Sequence, residues 1–161
     1  MVSIMDEALE LKVGHKVLEV GGGSGWHAAT IAEIVAPLDV PKEKRGHVYT
    51  VERIAELFAF AKENIMKAGY GDRITVIHQD GTIGYLKEAP YDRVLVAAAG
   101  PNVPKPLIEQ LEDGGVLIVP VGGAQLYQTL IRVRKKNNKI IEENLGGVAF
   151  VPLIGKHGFK P

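Results

Sequence analysis

A chain of 161 residues, 46% hydrophobic and 24% charged, is sized for one domain with a real core and has an ordinary globular make-up. Nineteen basic residues balance nineteen acidic ones, so no global field recruits nucleic acid or an anionic membrane. The lack of cysteine excludes disulfides, thiolate metal sites and a cysteine nucleophile, and without an apolar run of about 18 residues or a basic leader the expectation is a cytoplasmic protein.

The stretch Met1 to Leu11 carries Val2, Ile4, Met5, Ala8, Leu9 and Leu11 at spacings that make one face of a helix. Lys16 to Val20 is a short apolar run closed by glycines, which predicts a strand. Ser24 suits the N-cap of a helix running to about Val35, with Ala28, Ala29, Ile31, Ala32 and Ile34 available for packing. Pro37 to Gly46, with two prolines and a charge cluster, predicts an exposed loop. His47 to Val51 is a second strand, Ile54 to Ala68 a second helix ended by Gly69, and Ile74 to His78 a third strand.

Arg93 to Ala98 is a nearly continuous apolar run, as expected of a strand covered on both faces. Pro104 and Pro106 confine the next helix to the later part of Pro101 to Leu111. A turn at Asp113-Gly114-Gly115 leads into a fifth strand, Val116 to Val121. Gln128 to Arg134 and Ile140 to Glu143 alternate across a polar turn, which predicts an antiparallel hairpin, and Val148 to Ile154 is a further extended stretch. Alternating strands and helices closed by a hairpin define an α/β fold, Rossmann-like, with a mostly parallel doubly wound sheet. Ligands of such sheets bind outside the carboxyl ends of the strands, so the residues after each strand are the ones to examine.

The first strand ends in Glu19-Val20-Gly21-Gly22-Gly23-Ser24-Gly25, with more glycine than a tight turn requires. Glycines here permit positive φ and let a ligand approach the backbone where a new helix offers unpaired N–H groups. A dinucleotide fingerprint, G-x-G-x-x-G/A, fails from Gly21 because its last position is Trp26, and fits only when shifted to Gly23. The spacing acidic-x-G-x-G-x-G fits Glu19, Gly21, Gly23 and Gly25 without a shift. That is the first motif of class I S-adenosylmethionine-dependent methyltransferases, so the spacing favours the methyl donor S-adenosyl-L-methionine. An NAD-dependent oxidoreductase remains the alternative on the shifted match.

Glu52, after the second strand, can accept both hydroxyls of a ribose. It lies 31 residues beyond Gly21, the excess over a dinucleotide fold being the 37–46 loop. Asp80 and Gly81 follow the third strand, where a carboxylate accepts an adenine amino group or caps the next helical turn. Asp92 precedes its strand and is structural. His15, His27, His47, His78 and His157 show no metal-ligand spacing, there is no G-x-S-x-G elbow, and Trp26 suits packing at the start of its helix.

KVLEVGGGSGWHAATIAEIV, VYTVER, HQDGTIGYLKEAPYDRVLVAAAGPNVPKPLIEQLEDGGVLIVPVG and VAFVPLIGKHGF together resemble the archaeal type of the protein-L-isoaspartate O-methyltransferase family over the whole chain. The glycine loop indicates only a methyltransferase. The D-G-T-x-G-Y block, the A-A-G-P-x-x-P-x-P-L-I block and the terminal V-A-F-V-P-L segment are more specific. The resemblance implies one methyltransferase domain over residues 1–161, with Gly21, Gly22, Gly23, Ser24 and Gly25 on the methionine part of the cofactor, Glu52 on the ribose, and Asp80 with Gly81 on the adenine. Ala149, Phe150 and Val151 would border a pocket for the isoaspartyl peptide.

The implied activity is protein repair: methylation of the carboxylate freed when an aspartyl linkage shifts to its side chain, followed by collapse of the ester to a succinimide. The partners are isoaspartyl-containing proteins and peptides. Such a carboxylate, with a pKa of about 3.5, is already ionised and needs no catalytic base. Family members carry a T-x-S-A-P-H-like stretch whose hydroxyl is designated catalytic; Met1 stands where it should end, so the expectation assigns no catalytic residue within the chain. A catalytically silent S-adenosylmethionine-binding relative is the second alternative.

Overall fold

The computed structural model describes residues 1–125 and 127–160. Among these residues seven strands form one sheet in the order β3-β2-β1-β4-β5-β6-β7. They are β1 (Lys16–Val20), β2 (His47–Glu52), β3 (Ile74–His78), β4 (Tyr91–Val96), β5 (Leu111–Gly122), β6 (Gln128–Lys136) and β7 (Lys139–Val148). The first five pair in parallel and the last two join antiparallel, so the sheet is mixed with a parallel majority. Sequence order reverses between β1 and β4, which opens a crevice at the carboxyl ends of those two strands.

Among the described residues four α-helices, α1 (Val2–Ala8), α2 (Trp26–Val35), α3 (Ala55–Lys67) and α4 (Lys105–Glu109), cover the sheet. Because strand side chains alternate, Val17 and Leu18 serve opposite cores. The first core joins Met5, Leu9, Ala28, Ile31, Val35 and Ile65 to the sheet; the second gathers Leu18, Val94, Val96, Leu107, Leu117 and Leu153. The α/β, doubly wound expectation therefore holds, with the longer helices on one face and α4 with the segment after β7 on the other.

Several boundaries differ from those read in the sequence, each for a tertiary reason. The first helix stops at Ala8 because Glu10 turns left-handed, φ 54°, and Arg93 caps the end by donating to the carbonyls of Leu9 (2.5 Å) and Glu10 (3.3 Å). The strand expected from Arg93 begins at Tyr91, where the Asp92 carboxylate accepts the Lys16 amide at 2.8 Å. The expected 113–115 turn is an irregularity inside β5, which starts at Leu111 and slips register against β4. The hairpin is longer than its apolar pattern because β6 and β7 run through polar residues to a two-residue turn at Asn137-Asn138. Both take the left-handed φ that such a turn demands, 52° and 58°. Ile34, expected to pack, is an exposed side chain of α2.

Candidate active site

After β1 the chain enters the glycine loop, and the amides of Gly21 and Gly22 both donate to the Val51 carbonyl of β2, at 2.9 and 3.2 Å. Ser24 is not the N-cap of α2: that place belongs to Gly25 in the left-handed region at φ 84°, while the Ser24 hydroxyl stands 3.4 Å from the Trp26 amide. Gly22 is required for a different reason. A Cβ there would lie 2.5 Å from the Thr50 hydroxyl. Gly23, also left-handed at φ 54°, faces open space: a Cβ would meet no atom of the described residues within 4 Å, and the residue lines a cavity of about 260 Å³.

That cavity sits at the crevice between β1 and β4. Its walls come from Val20, Gly21 and Gly23, from Glu52 to Ile54 with Leu57, from Gly81, from Ala97 and Ala98, and from Val151 to Ile154. Glu52 is 6% exposed and holds two backbone donors, the Gly23 amide on Oε2 at 3.0 Å and the Ile54 amide on Oε1 at 2.9 Å. A carboxylate offers about four lone-pair sites, so about two remain for hydroxyl donors in the cavity that Glu52 lines. Glu52 thus ties the loop to the start of α3 while keeping acceptor capacity at the wall.

Asp80 is differently employed. Its Oδ1 accepts the Thr82 amide (2.8 Å) and hydroxyl (2.7 Å), and its Oδ2 accepts the Lys156 amide at 2.8 Å. Burial alone would raise this carboxyl, but the Lys156 and Thr82 bonds hold it below its ordinary value. Asp80 therefore caps the turn at Gly81–Ile83 and clamps the segment after β7, and it does not line the cavity. Gly81 does line it, pressed so closely on Val20 that a side chain would collide.

The segment after β7 is a strap over the carboxyl end of β4. Pro152 bridges Ala99, the Leu153 amide donates to the Ala99 carbonyl at 2.8 Å, and Val151 to Ile154 face the cavity. Its start is fixed by Gln128, whose amide accepts from Phe150 N–H (2.6 Å) and donates to Phe150 C=O (3.0 Å). Of the residues singled out in the sequence, Gly21, Gly23, Glu52, Gly81 and Val151 line one cavity. Gly22, Ser24, Gly25, Ala149 and Phe150 are not among the residues that line it, and Glu19 lies buried under the loop.

Trp26 does not pack; it is 69% exposed at the first turn of α2. The imidazole of His27 pairs with Asp6, that of His47 with Thr75, that of His78 with the Arg53 carbonyl and a stacked Phe58, and that of His15 with the Lys12 amide, while at His157 the backbone amide donates to the Thr82 hydroxyl. Among the described residues no three His, Cys, Asp or Glu side chains gather as metal ligands. Residues missed in the sequence include Ile54, Leu57 and Ala97 in the wall, and Asn64, which donates to the Ser24 carbonyl at 2.9 Å. Only Ala97 had a local signal, its place at a strand's carboxyl end.

A glycine loop after β1, an acid at the end of β2 and the 3-2-1-4-5 parallel order with an antiparallel end define the class I S-adenosylmethionine-dependent methyltransferase fold. The family model for protein-L-isoaspartate(D-aspartate) O-methyltransferase matches residues 1–158. A protein-L-isoaspartate O-methyltransferase of Hyperthermus butylicus is 51% identical over 160 residues, 99% of this chain and 66% of that protein. A solved protein-L-isoaspartate O-methyltransferase superposes with a TM-score of 0.86 at 28% identity, covering 98% of this chain and 47% of that one. Another, from Plasmodium falciparum and in complex with S-adenosyl-L-homocysteine, gives 0.80 at 27% identity, over 95% of this chain and 71% of that one. The chain belongs to the protein-L-isoaspartate O-methyltransferase family, which sets the NAD-dependent alternative aside, and it spans about two thirds of the length of the Hyperthermus relative.

Proposed function

We propose that the chain binds S-adenosyl-L-methionine in the crevice between β1 and β4 and directs its methyl group to the free carboxylate of isoaspartyl residues in damaged proteins. The observation that carries this reading is the state of Glu52: it is clipped to Gly23 and Ile54 by backbone amides and retains lone pairs at the cavity wall. Glu52 would hold the two ribose hydroxyls, Gly81 and the strap would border the adenine, and the bare backbone of Gly21 and Gly23 would take the methionine end. The Plasmodium falciparum relative, in complex with S-adenosyl-L-homocysteine, supports that choice of ligand.

When bound, the cofactor supplies a sulfonium-activated methyl group. The acceptor carboxylate is ionised at neutral pH, with an ordinary pKa of about 3.5, so no residue of this chain needs to remove a proton. The contribution asked of the protein is placement, since effective molarity is what an enzyme adds when both reactants are already reactive. Ala149, Phe150 and Val151 are suited to border the acceptor: Phe150 is held in both directions by Gln128, and Val151 is exposed while lining the cavity. The ester would then close to a succinimide and reopen in part to the normal linkage. We assign the substrate as isoaspartyl protein or peptide and the compartment as cytoplasm; no described helix is long and apolar enough to cross a membrane.

The test is calorimetric titration with S-adenosyl-L-methionine and S-adenosyl-L-homocysteine, followed by a tritiated-methyl assay on matched isoaspartyl and aspartyl peptides. One site per chain and isoaspartyl-selective label are expected. Tight NAD binding without a response to S-adenosyl-L-homocysteine would sink the cofactor assignment. Binding without transfer would leave the catalytically silent relative.

A further inference from the structure

Beneath the glycine loop lies a carboxyl group that the cavity does not touch. Glu19 is fully buried, its Oε2 accepts the Thr50 hydroxyl at 2.5 Å, and its Oε1 has no hydrogen-bond partner among the described residues. Strand alternation turns it to the same sheet face as Val17, toward α1 and α2. The groups facing it are Asp6 from α1, His27 from α2 and Glu52 from β2; β4 contributes Leu95 at that level and no charge. Asp6 and His27 are themselves paired at 2.8 Å. Burial pushes Glu19 up to about 7, with His27 and the Thr50 hydroxyl drawing it down and Asp6 and Glu52 drawing it up.

An ionised carboxyl with an unpartnered oxygen is costly in such a place, so the empty site favours the neutral acid. The ligands of the crevice differ in the charge they bring. S-adenosyl-L-methionine carries a sulfonium, an ammonium and a carboxylate, net one positive charge; its demethylated product has a neutral thioether and is net neutral. Gly21, two residues from Glu19, lines the cavity where that charge would rest. A nearby cation favours the ionised carboxyl, and by linkage the ionised carboxyl favours the cation by the same factor.

We propose that Glu19 is a specificity-determining counter-charge under the glycine loop, releasing its proton to solvent when the cationic methyl donor seats above it and keeping the proton when the neutral product does. The inference rests on the S-adenosylmethionine reading given above. Its consequence is that the group discriminates by charge without touching the ligand. Methyl transfer turns the cation into a neutral thioether, Glu19 takes a proton back, and the donor displaces product more readily as pH rises.

The experiment titrates the chain with S-adenosyl-L-methionine and S-adenosyl-L-homocysteine across the range of about pH 6 to about pH 8, comparing wild type with Glu19→Gln. The donor-to-product affinity ratio of the wild type should rise by about tenfold over that range, the size of one partly screened charge interaction, and that of Glu19→Gln should stay at the low-pH value. The ligand amine titrates equally against both proteins, so their difference isolates Glu19. Thr50→Val, which removes the donated hydroxyl, should move the rise to higher pH and decides the matter if Glu19→Gln does not fold. A flat wild-type ratio, a rise retained in Glu19→Gln, or an unmoved midpoint in Thr50→Val overturns the proposal while leaving the cofactor reading intact. Failure of the wild type to bind either ligand overturns the cofactor reading and the proposal with it.

Discussion

Glu52 and Asp80 stand at corresponding places, each at or just beyond the carboxyl end of a neighbouring parallel strand, yet their oxygens are used in opposite ways. Glu52 takes one backbone donor on each oxygen and borders the cavity; Asp80 takes three donors, one of them from Lys156 in the strap, and stands outside it. The difference is one of free acceptor capacity. An acid after a strand keeps acceptor capacity for a ligand when its local loops leave lone pairs unfilled, and becomes a clamp when a distant segment of the chain fills them.

The comparison breaks most visibly on the Glu52 side. Gly23→Val should abolish S-adenosyl-L-homocysteine binding, because Gly23 is left-handed and its vacant side is the cavity, provided circular dichroism shows an intact fold. Normal binding by that variant would mean that the loop does not hold the cofactor. Glu52→Ala removes the proposed ribose acceptor and the clip on Gly23, and calorimetry should record at least about a tenfold loss of affinity, or roughly 1.4 kcal/mol.

On the other side, Asp80→Ala should lower stability in urea melts by about 1 to 3 kcal/mol through the lost cap and strap bond, with a smaller affinity loss than Glu52→Ala. If both variants lose equal affinity, Asp80 is a ligand too and the contrast fails. The pH profile of stability separates the carboxyls more finely. Glu19, raised from 4.5 to about 7 in the folded chain, binds its proton more tightly folded than unfolded, so stability falls as pH rises through that window. Asp80, depressed below 3.8, contributes stability above that value which is lost on acidification. Wild type minus Glu19→Gln should therefore show a decline of roughly 1 to 3 kcal/mol between about pH 4.5 and about pH 7.5, and a flat difference would contradict the buried-acid account.

What could be read from the sequence was what local chemistry determines. β1, β2 and β3 end within a residue of expectation because glycine, a loop or a carboxylate closes each apolar run. That Gly21, Gly23 and Glu52 would border one cavity was legible because a glycine loop after a strand and an acid closing the next strand are short-range patterns. The rest depended on partners far along the chain. The end of α1 is set by Arg93, more than eighty residues later, and the duty of Asp80 by Lys156, 76 residues later. Glu19 fits the spacing of a cofactor motif, but its strand face turns it beneath the loop to Thr50, 31 residues away. Trp26 was expected to pack at the start of its helix, but it stays largely exposed there.

The central claim is that Glu52 is the ribose acceptor of an S-adenosylmethionine site. A thermodynamic cycle tests it most directly, pairing wild type and Glu52→Ala with S-adenosyl-L-homocysteine and its counterpart lacking a ribose hydroxyl, each dissociation constant measured by calorimetry. The wild type should lose about tenfold in affinity when the hydroxyl is removed, one charge-assisted hydrogen bond of at least roughly 1.4 kcal/mol, and Glu52→Ala should lose almost nothing further. Equal losses in the two proteins would show that the hydroxyl and Glu52 do not meet, and would contradict the account.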